Sequence, residues 1–337
     1  MSQTTTINRA AIYADPGTPK IEVLELPIPE PGPGEVLVRL LYSGVCHTDY
    51  AFCTNGFPHL PVPTQKGQIG GHEGIGEVIA QGTGVKTPQV GSKVGIKFAA
   101  DACLACSNCL EGGETSCAEA KISGYYTPGT FQQYCISTAR YLSPIPDGLD
   151  LAAAAPLMCG GVTVYTALVR SHVRNGDWVL VSGAGGGLGH LAIQYAKALG
   201  ARVLAIDHGS KKQFCQSLGA DEFLDFTMFQ EDKDLSNAVL QITSGGARIG
   251  LMCSSSPRTY ANALSWLGFR GHLVCLGVPE VEGSLTPSIG EMINNEITIS
   301  AIKAGNRREV QECLQIAASG AVKTHYELRK LDDLGDI

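Results

Sequence analysis

At 337 residues and 44% hydrophobic content, the chain is long and apolar enough for two domains with real cores. Its formal charge of −7 argues against nucleic-acid binding and gives no polybasic membrane patch. No apolar run approaches the roughly 20 residues of a membrane-spanning helix. The polar stretch Met1–Arg9 lacks the apolar region of a signal peptide, so the expected location is the cytoplasm.

Residues 7–30 alternate apolar and polar side chains between Pro and Gly punctuation, as in Ile21-Glu-Val-Leu-Glu-Leu26. After the turn-rich connector Pro27–Gly34, Glu35–Tyr42 reads as a strand. Gly70–Ile79, Val90–Ile96 and Thr130–Ile136 continue this β-rich region.

Between them lies a short segment, 101–120, that is poor in large apolar residues. It carries Cys103, Cys106, Cys109 and Cys117 in the spacing C-x2-C-x2-C-x7-C. Four thiolates this close can surround one zinc ion and leave no position open, which is the chemistry of a structural site. Such a segment cannot fold on apolar burial alone, so the metal is expected to hold it. The competing reading, disulfides or a redox cluster, suits a reducing compartment less well.

The texture changes near residue 150. Leu151–Met158 is helical, and Trp178–Ser182 is a short, apolar strand. Helix Leu188–Leu199, strand Arg202–Asp207, helix Lys211–Leu218 and strand Glu222–Asp225 follow in turn. The alternation runs on through Leu235–Thr243, Ile249–Cys253, Tyr260–Leu267 and His272–Gly277. Strict alternation predicts a doubly wound parallel sheet, and hence the α/β class. Strand Glu296–Ser300 and helix Glu309–Ser319 close the pattern.

Gly183, Gly186 and Gly189 stand between strand 178–182 and its helix, spaced G-x-x-G-x-x-G rather than G-x-G-x-x-G. Strand, glycines, helix, strand and then an acid form the context of a dinucleotide site. The acid is Asp207. A carboxylate there accepts from a ribose hydroxyl and repels a 2′-phosphate, which favours NAD over NADP. Lys211 and Lys212 either reach the ribose or form a solvated helix start.

Cys46, His72 and Cys159 are a second set of metal-type residues, far apart in sequence. A fold that gathers three such ligands and leaves a fourth position open builds a catalytic zinc site. The other six of the 12 cysteines are scattered among apolar neighbours and read as small buried hydrophobes.

Cys46-His-Thr-Asp49, Gly70-Gly-His-Glu73, the cysteine lobe, Pro156-Leu-Met-Cys159-Gly-Gly and the glycine loop occur in that order. In this the chain resembles the zinc-dependent alcohol dehydrogenases of the medium-chain dehydrogenase/reductase superfamily, most closely the tetrameric fungal and bacterial type. The resemblance implies a GroES-like β-rich catalytic domain over residues 1–157, with the zinc lobe at about 101–120. It implies a Rossmann NAD-binding domain over 158–297 and a return to the catalytic domain over 298–337.

The resemblance further implies reversible hydride transfer between a primary or secondary alcohol and NAD, with two zinc ions per chain and no nucleic-acid or membrane partner. Cys46, His72 and Cys159 are the implied ligands of the catalytic zinc, with Glu73 beside them either as a support to the ligands or as a transient ligand itself. Asp49 would orient His72, and Thr48 would hydrogen-bond the substrate oxygen. His47, Thr48, Gly183, Gly186, Gly187, Leu188, Asp207, Lys211, Lys212, Leu276, Val278, Ile302 and Ala304 are the implied cofactor contacts. Thr48, Phe57, Phe98 and Val278 match pocket positions. Larger residues often stand at these aromatic and aliphatic places in relatives, which implies a roomier cleft than one built for ethanol.

Three departures from the family pattern stand out. Ala51 occupies a place where relatives often carry a relay histidine, so the proton is expected to leave from Thr48 without one. Ala301-Ile302 replaces a Gly-Ser pair ahead of Gly305-Asn306-Arg307. The sequence stops at Ile337, where relatives continue to a strand whose arginine contacts the cofactor phosphate. Two alternatives therefore stand beside the alcohol dehydrogenase: a pathway-specific reductase of a bulkier aldehyde, and a truncated, weakly active or inactive homologue.

Overall fold

A computed structural model describes residues 7–57, 60–279, 285 and 287–337; most of the N-terminal stretch read as lacking a signal lies outside them. The chain divides into two compact units. One comprises Met1–Cys159, Gly305–Ala318 and Thr324–Ile337, the other Gly160–Ala304 and Ser319–Lys323.

The first unit is built on short strands. In chain order they are β1 (Ile7–Tyr13), β2 (Ile21–Pro27), β3 (Glu35–Ser43), β4 (Gly74–Gln81) and β5 (Lys93–Ile96). Then come β6 (Ala99–Asp101), β7 (Lys121–Ser123), β8 (Tyr126–Thr127), β9 (Tyr134–Thr138) and β10 (Ser143–Pro144). β1 and β2 pair antiparallel, and the main sheet runs β10-β5-β4-β3-β9. Its core is β-branched: Val36, Val38, Val78, Val94 and Ile96 are buried together with Cys135. Such side chains pack well on a pleated, half-buried surface. A small sheet, β6-β7-β8, flanks the cysteine segment.

The expected strand Thr130–Ile136 starts later, at Tyr134. Thr130 and Phe131 instead give their backbone N–H groups to the carbonyls of Gly71 and Gly70 at 3.1 and 2.9 Å. They buttress the loop before His72 rather than extending the ladder. A helix over His47–Thr54 has no signal in apolar periodicity and was not expected.

The second unit is a six-stranded parallel sheet ordered β13-β12-β11-β14-β15-β16. The strands are β11 (Trp178–Ser182), β12 (Arg202–Asp207), β13 (Glu222–Asp225), β14 (Ala247–Met252), β15 (Leu267–Cys275) and β16 (Thr298–Ala301). All five residues of β11 are buried, as expected for a central strand covered on both faces. The strand order reverses between β11 and β14, the crevice where doubly wound sheets bind ligands. The expected α/β class, GroES-like region plus doubly wound sheet, is the fold observed.

Helix 188–199 forms one residue earlier than expected, at Gly187. Strand β15 begins at Leu267 rather than His272, with a register shift against β14 where Gly268 and Gly271 flank Arg270 at φ +56°. The helix Ile289–Asn295, capped by Ser288, gave no signal in the sequence reading.

Candidate active site

Cys46 is the N-cap of helix His47–Thr54, with extended backbone just before the first turn. Asp49 in that turn suits the positive end of the helix dipole. Its Oδ2 accepts the backbone N–H of Cys46 at 2.9 Å, and its Oδ1 lies 2.8 Å from Nδ1 of His72. Both side chains are buried. With Nδ1 facing a carboxylate, Nε2 is left as the free ring nitrogen, and it is buried with no hydrogen-bond partner. A buried polar atom left unsatisfied is costly unless something else occupies the place.

What surrounds it is a donor set. One ligand atom each from Cys46, His72, Glu73 and Cys159 lies within 4.8 Å of all the others. Two thiols and an imidazole, with a carboxylate beside them, are the ligand chemistry of a catalytic zinc site. The residues therefore fit the metal.

The groups also compete for protons. Burial works against a charge on His72, but the Asp49 carboxylate and the Cys46 thiolate outweigh it and hold its pKa well above the usual range. Cys159 donates to Cys46, which keeps the Cys46 thiol well below its ordinary value and pushes Cys159 well above. Burial, then the nearby Cys46, raises Glu73. A divalent cation would displace these protons.

Small residues beside the ligands make the geometry possible. A Cβ on Gly44 would stand 1.9 Å from Oε2 of Glu73. Gly71 has φ +94°, and a Cβ there would meet the backbone N of Phe131 at 2.8 Å. Gly71 belongs to the motif Gly70-Gly-His-Glu73, whereas nothing in the sequence marks Gly44, two residues before Cys46.

The cysteine lobe closes on itself. Sγ of Cys103 is 3.9 Å from Sγ of Cys109, and Sγ of Cys106 is 3.9 Å from Sγ of Cys117. A zinc tetrahedron with bonds of about 2.3 Å has edges of about 3.8 Å, so this set also fits the metal. Backbone N–H groups of Ala105 and Cys106 point at Cys103 from 3.5 and 3.3 Å, and that of Glu119 at Cys117 from 3.3 Å. Those of Ala105 and Cys106 draw the Cys103 thiol down to about 7, while burial pushes Cys109 up to about 12.

In the second unit, Gly183 follows β11 at φ +66° and the helix Gly187–Ala198 begins with Gly186 as N-cap. A Cβ on Gly189 would lie 2.1 Å from the carbonyl oxygen of Gly183, so that position must be bare for helix and strand to approach. At Gly187 a Cβ would meet nothing within 4 Å, which leaves open space at the helix N-terminus for a pyrophosphate. Asp207 ends β12; its Oδ2 accepts from Gly185 N–H and its Oδ1 from His208 N–H, both at 2.7 Å. Lys211 packs against Gly185, and Lys212 is exposed. Leu276 and Val278 follow β15, and Ile302 and Ala304 follow β16, at the same carboxyl edge as the glycine loop. Ala304 holds a left-handed φ of +54°, a strained conformation for a residue with a Cβ. The bare helix start and the carboxylate at the second strand's end fit a dinucleotide.

Residues 32–147 match the alcohol dehydrogenase GroES-like domain family, and residues 187–319 the zinc-binding dehydrogenase family. Alcohol dehydrogenase 2 of Emericella nidulans is 44% identical, over 98% of this chain and 92% of its own length. The chain belongs to the zinc-dependent alcohol dehydrogenases. Among solved structures, acetophenone reductase from Geotrichum candidum in complex with NAD superposes with a TM-score of 0.83 at 28% identity, covering 99% of this chain and 94% of that one. The cobalt and zinc bound thermostable alcohol dehydrogenase from Pyrobaculum aerophilum does so at 0.83 and 26%, covering 98% and 94%. The matched family is described as a zinc-binding dehydrogenase, which accords with the two donor sets. Among the described residues, no single helix is long and apolar enough to cross a membrane.

Beside His72 the dehydrogenase carries an aromatic cluster. Phe98 stands edge-on to His72 with centroids 5.7 Å apart, and stacks on Phe52 at 6.4 Å. Phe57 meets Phe52 edge-on at 6.1 Å, and Tyr125 stacks on Phe52 at 5.0 Å. Tyr125 donates its hydroxyl to the Val62 carbonyl at 2.5 Å, pinning the segment that follows Phe57. Phe52 and Tyr125 escaped the sequence reading, because nothing local marks a core aromatic as the backing of a pocket. Thr48 is part-buried on the first turn after Cys46, and His47 is exposed. Val278 is exposed in the second unit.

Proposed function

We propose that Cys46, His72 and Cys159 hold the catalytic zinc of this dehydrogenase, with Glu73 as a second acid beside it, and that the lobe cysteines hold a structural zinc. Zinc supplies Lewis acidity and NAD the hydride acceptor. The observation that carries the reading is the buried, unpartnered Nε2 of His72 among two thiols and a carboxylate.

The chain's own residues then divide the work. Asp49 keeps the proton of His72 on Nδ1, so that Nε2 stays a donor to metal. Thr48 hydrogen-bonds the substrate hydroxyl and starts its proton toward water; Ala51, three residues on, offers no titratable group. His47, the glycine loop with Leu188, and Asp207 with Lys211 and Lys212 bind the dinucleotide. Leu276, Val278, Ile302 and Ala304 face its nicotinamide end.

By family likeness Phe57, Phe98 and Val278 are the residues that meet the substrate, and they favour alcohols and aldehydes larger than ethanol. The first unit is the catalytic domain and the second the NAD-binding domain. The assembly is a homo-oligomer, a tetramer by family likeness, and is cytoplasmic. Oxidation of NADH by the zinc-loaded protein across a panel of aldehydes and ketones tests the chemistry. Turnover that rises with substrate bulk supports the pocket reading, and no turnover with any of them overturns the function. Sedimentation giving a mass other than four chains removes the tetramer.

A further inference from the structure

Glu114 sits inside the cysteine lobe, on the turn between Cys109 and Cys117, and is buried. Its carboxylate is fully used. Oε2 accepts the hydroxyl of Tyr141 at 2.9 Å and the backbone N–H of Arg307 at 3.1 Å, and Oε1 accepts Nε of Arg307 at 3.0 Å. The same helix start is tied to the lobe a second time, where Asn306 gives Nδ2 to the carbonyl of Gly112 at 3.1 Å. Tyr141 packs on Cys109, Cys117 and Ala102, so its ring is part of the lobe's own core.

Tyr141 also reaches away from the lobe. Its carbonyl accepts Nζ of Lys97 at 2.5 Å, and the Lys97 ammonium lies 4.0 Å from the centre of its ring. Lys97 is only 3% exposed, so its charge depends on these partners. Lys97 and Phe98 are the two residues between β5 of the main sheet and β6 of the lobe's sheet. Ser123 fixes that bend from the other side, giving Oγ to the Lys97 carbonyl at 2.8 Å and N–H to the Phe98 carbonyl at 2.9 Å. The next side chain along is Phe98, edge-on to His72.

We propose that Glu114 and Tyr141 are positioning residues for the substrate pocket, through which the cysteine lobe sets Phe98. The lobe is then more than a stabilising appendage. It holds a buried carboxylate against Tyr141, Tyr141 holds Lys97, and Lys97 fixes the backbone that aims Phe98 at the zinc-side wall. The inference rests on Phe98 being a pocket wall.

The test is steady-state kinetics of Tyr141→Phe, Glu114→Gln, Phe98→Ala and the double variant Tyr141→Phe/Phe98→Ala. Ethanol and a bulky benzylic alcohol are compared, with zinc content measured on every protein. Tyr141→Phe removes one hydroxyl without changing ring packing, so it remains informative even if Glu114→Gln fails to fold. The expected result is a KM for the benzylic alcohol changed about three- to tenfold, the scale of one lost hydrogen bond. For Tyr141→Phe and Glu114→Gln, zinc content and kcat for ethanol stay at the wild-type level. In the double variant the Tyr141 change adds nothing to that of Phe98→Ala, because both act on one wall. A shift for Phe98→Ala alone, with Tyr141→Phe and Glu114→Gln unchanged, overturns the inference and leaves the pocket reading intact. No shift for Phe98→Ala removes both. A fall in kcat for both alcohols in step with lost zinc assigns Glu114 and Tyr141 a purely structural role, and likewise overturns it.

Discussion

The carboxylate of Asp49 bridges His72 and the backbone of Cys46, with 2.8 Å to the imidazole Nδ1 and 2.9 Å to the amide nitrogen. One side chain thus aligns two of the proposed metal ligands, which are distant in sequence. Asn at this position keeps a carbonyl acceptor but loses the charge that makes the imidazole a better donor to metal. Asp49→Asn is expected to weaken zinc at the catalytic site by about 10- to 100-fold, with the lobe zinc unaffected. Competition with a coloured chelator reads both sites, and equal affinity of wild type and variant at the catalytic site refutes the role given to Asp49.

Two complete donor sets predict two zinc ions per chain. Metal analysis returning one ion or none ends that reading. The sets differ in what they hold. Cys106→Ser opens a lobe with few large apolar side chains of its own, and is expected to cost folding or assembly. Cys46→Ser is expected to leave the fold intact and abolish turnover, so the two variants should separate cleanly by circular dichroism and activity.

Asp207 predicts a preference for NAD over NADP, read as the ratio of kcat/KM for the two cofactors. Asp207→Gly is expected to narrow the gap by removing the repulsion of a 2′-phosphate. It also frees Gly185 N–H and His208 N–H, so the loop loosens and NAD affinity falls as well. Near-equal efficiency of both cofactors in the wild type contradicts the assignment.

Lys97 sets a pH dependence of stability. Burial lowers its pKa to about 7, against about 10.4 in an unfolded chain. Below pH 7 both states carry the proton and the cost of burying the charge is felt in full. Between about 7 and 10 the unfolded chain binds more proton than the folded one, so this contribution to stability rises with pH. Lys97→Met has no such term. Urea unfolding at several pH values should show wild type gaining on the variant from pH 7 to pH 10, and parallel curves would falsify the assignment.

Much of this was legible in the sequence because the signals are local. The lobe ligands announce themselves by spacing, and the parallel sheet by its alternation of short apolar strands with helices. Strand Arg202–Asp207 was legible to the residue. Helix His47–Thr54 was not, because its stability comes from the cap and the metal-side contacts rather than from an apolar stripe. Gly44, Glu114 and Tyr141 were not legible for another reason. What matters about each is a partner far away in the chain: Glu73 for the first, Arg307 and Lys97 for the others.

The two donor sets also differ in how they are strung along the chain. Cys103 to Cys117 is one short loop, whereas Cys46 to Cys159 requires most of the first unit to be in place. Closing a short loop costs less chain entropy than gathering distant segments. The metals should therefore leave in sequence during unfolding, the catalytic one with the main sheet and the lobe one afterwards. Following zinc release alongside far-ultraviolet signal in a denaturant ramp turns the bound metals into reporters of which part of the first unit opens first.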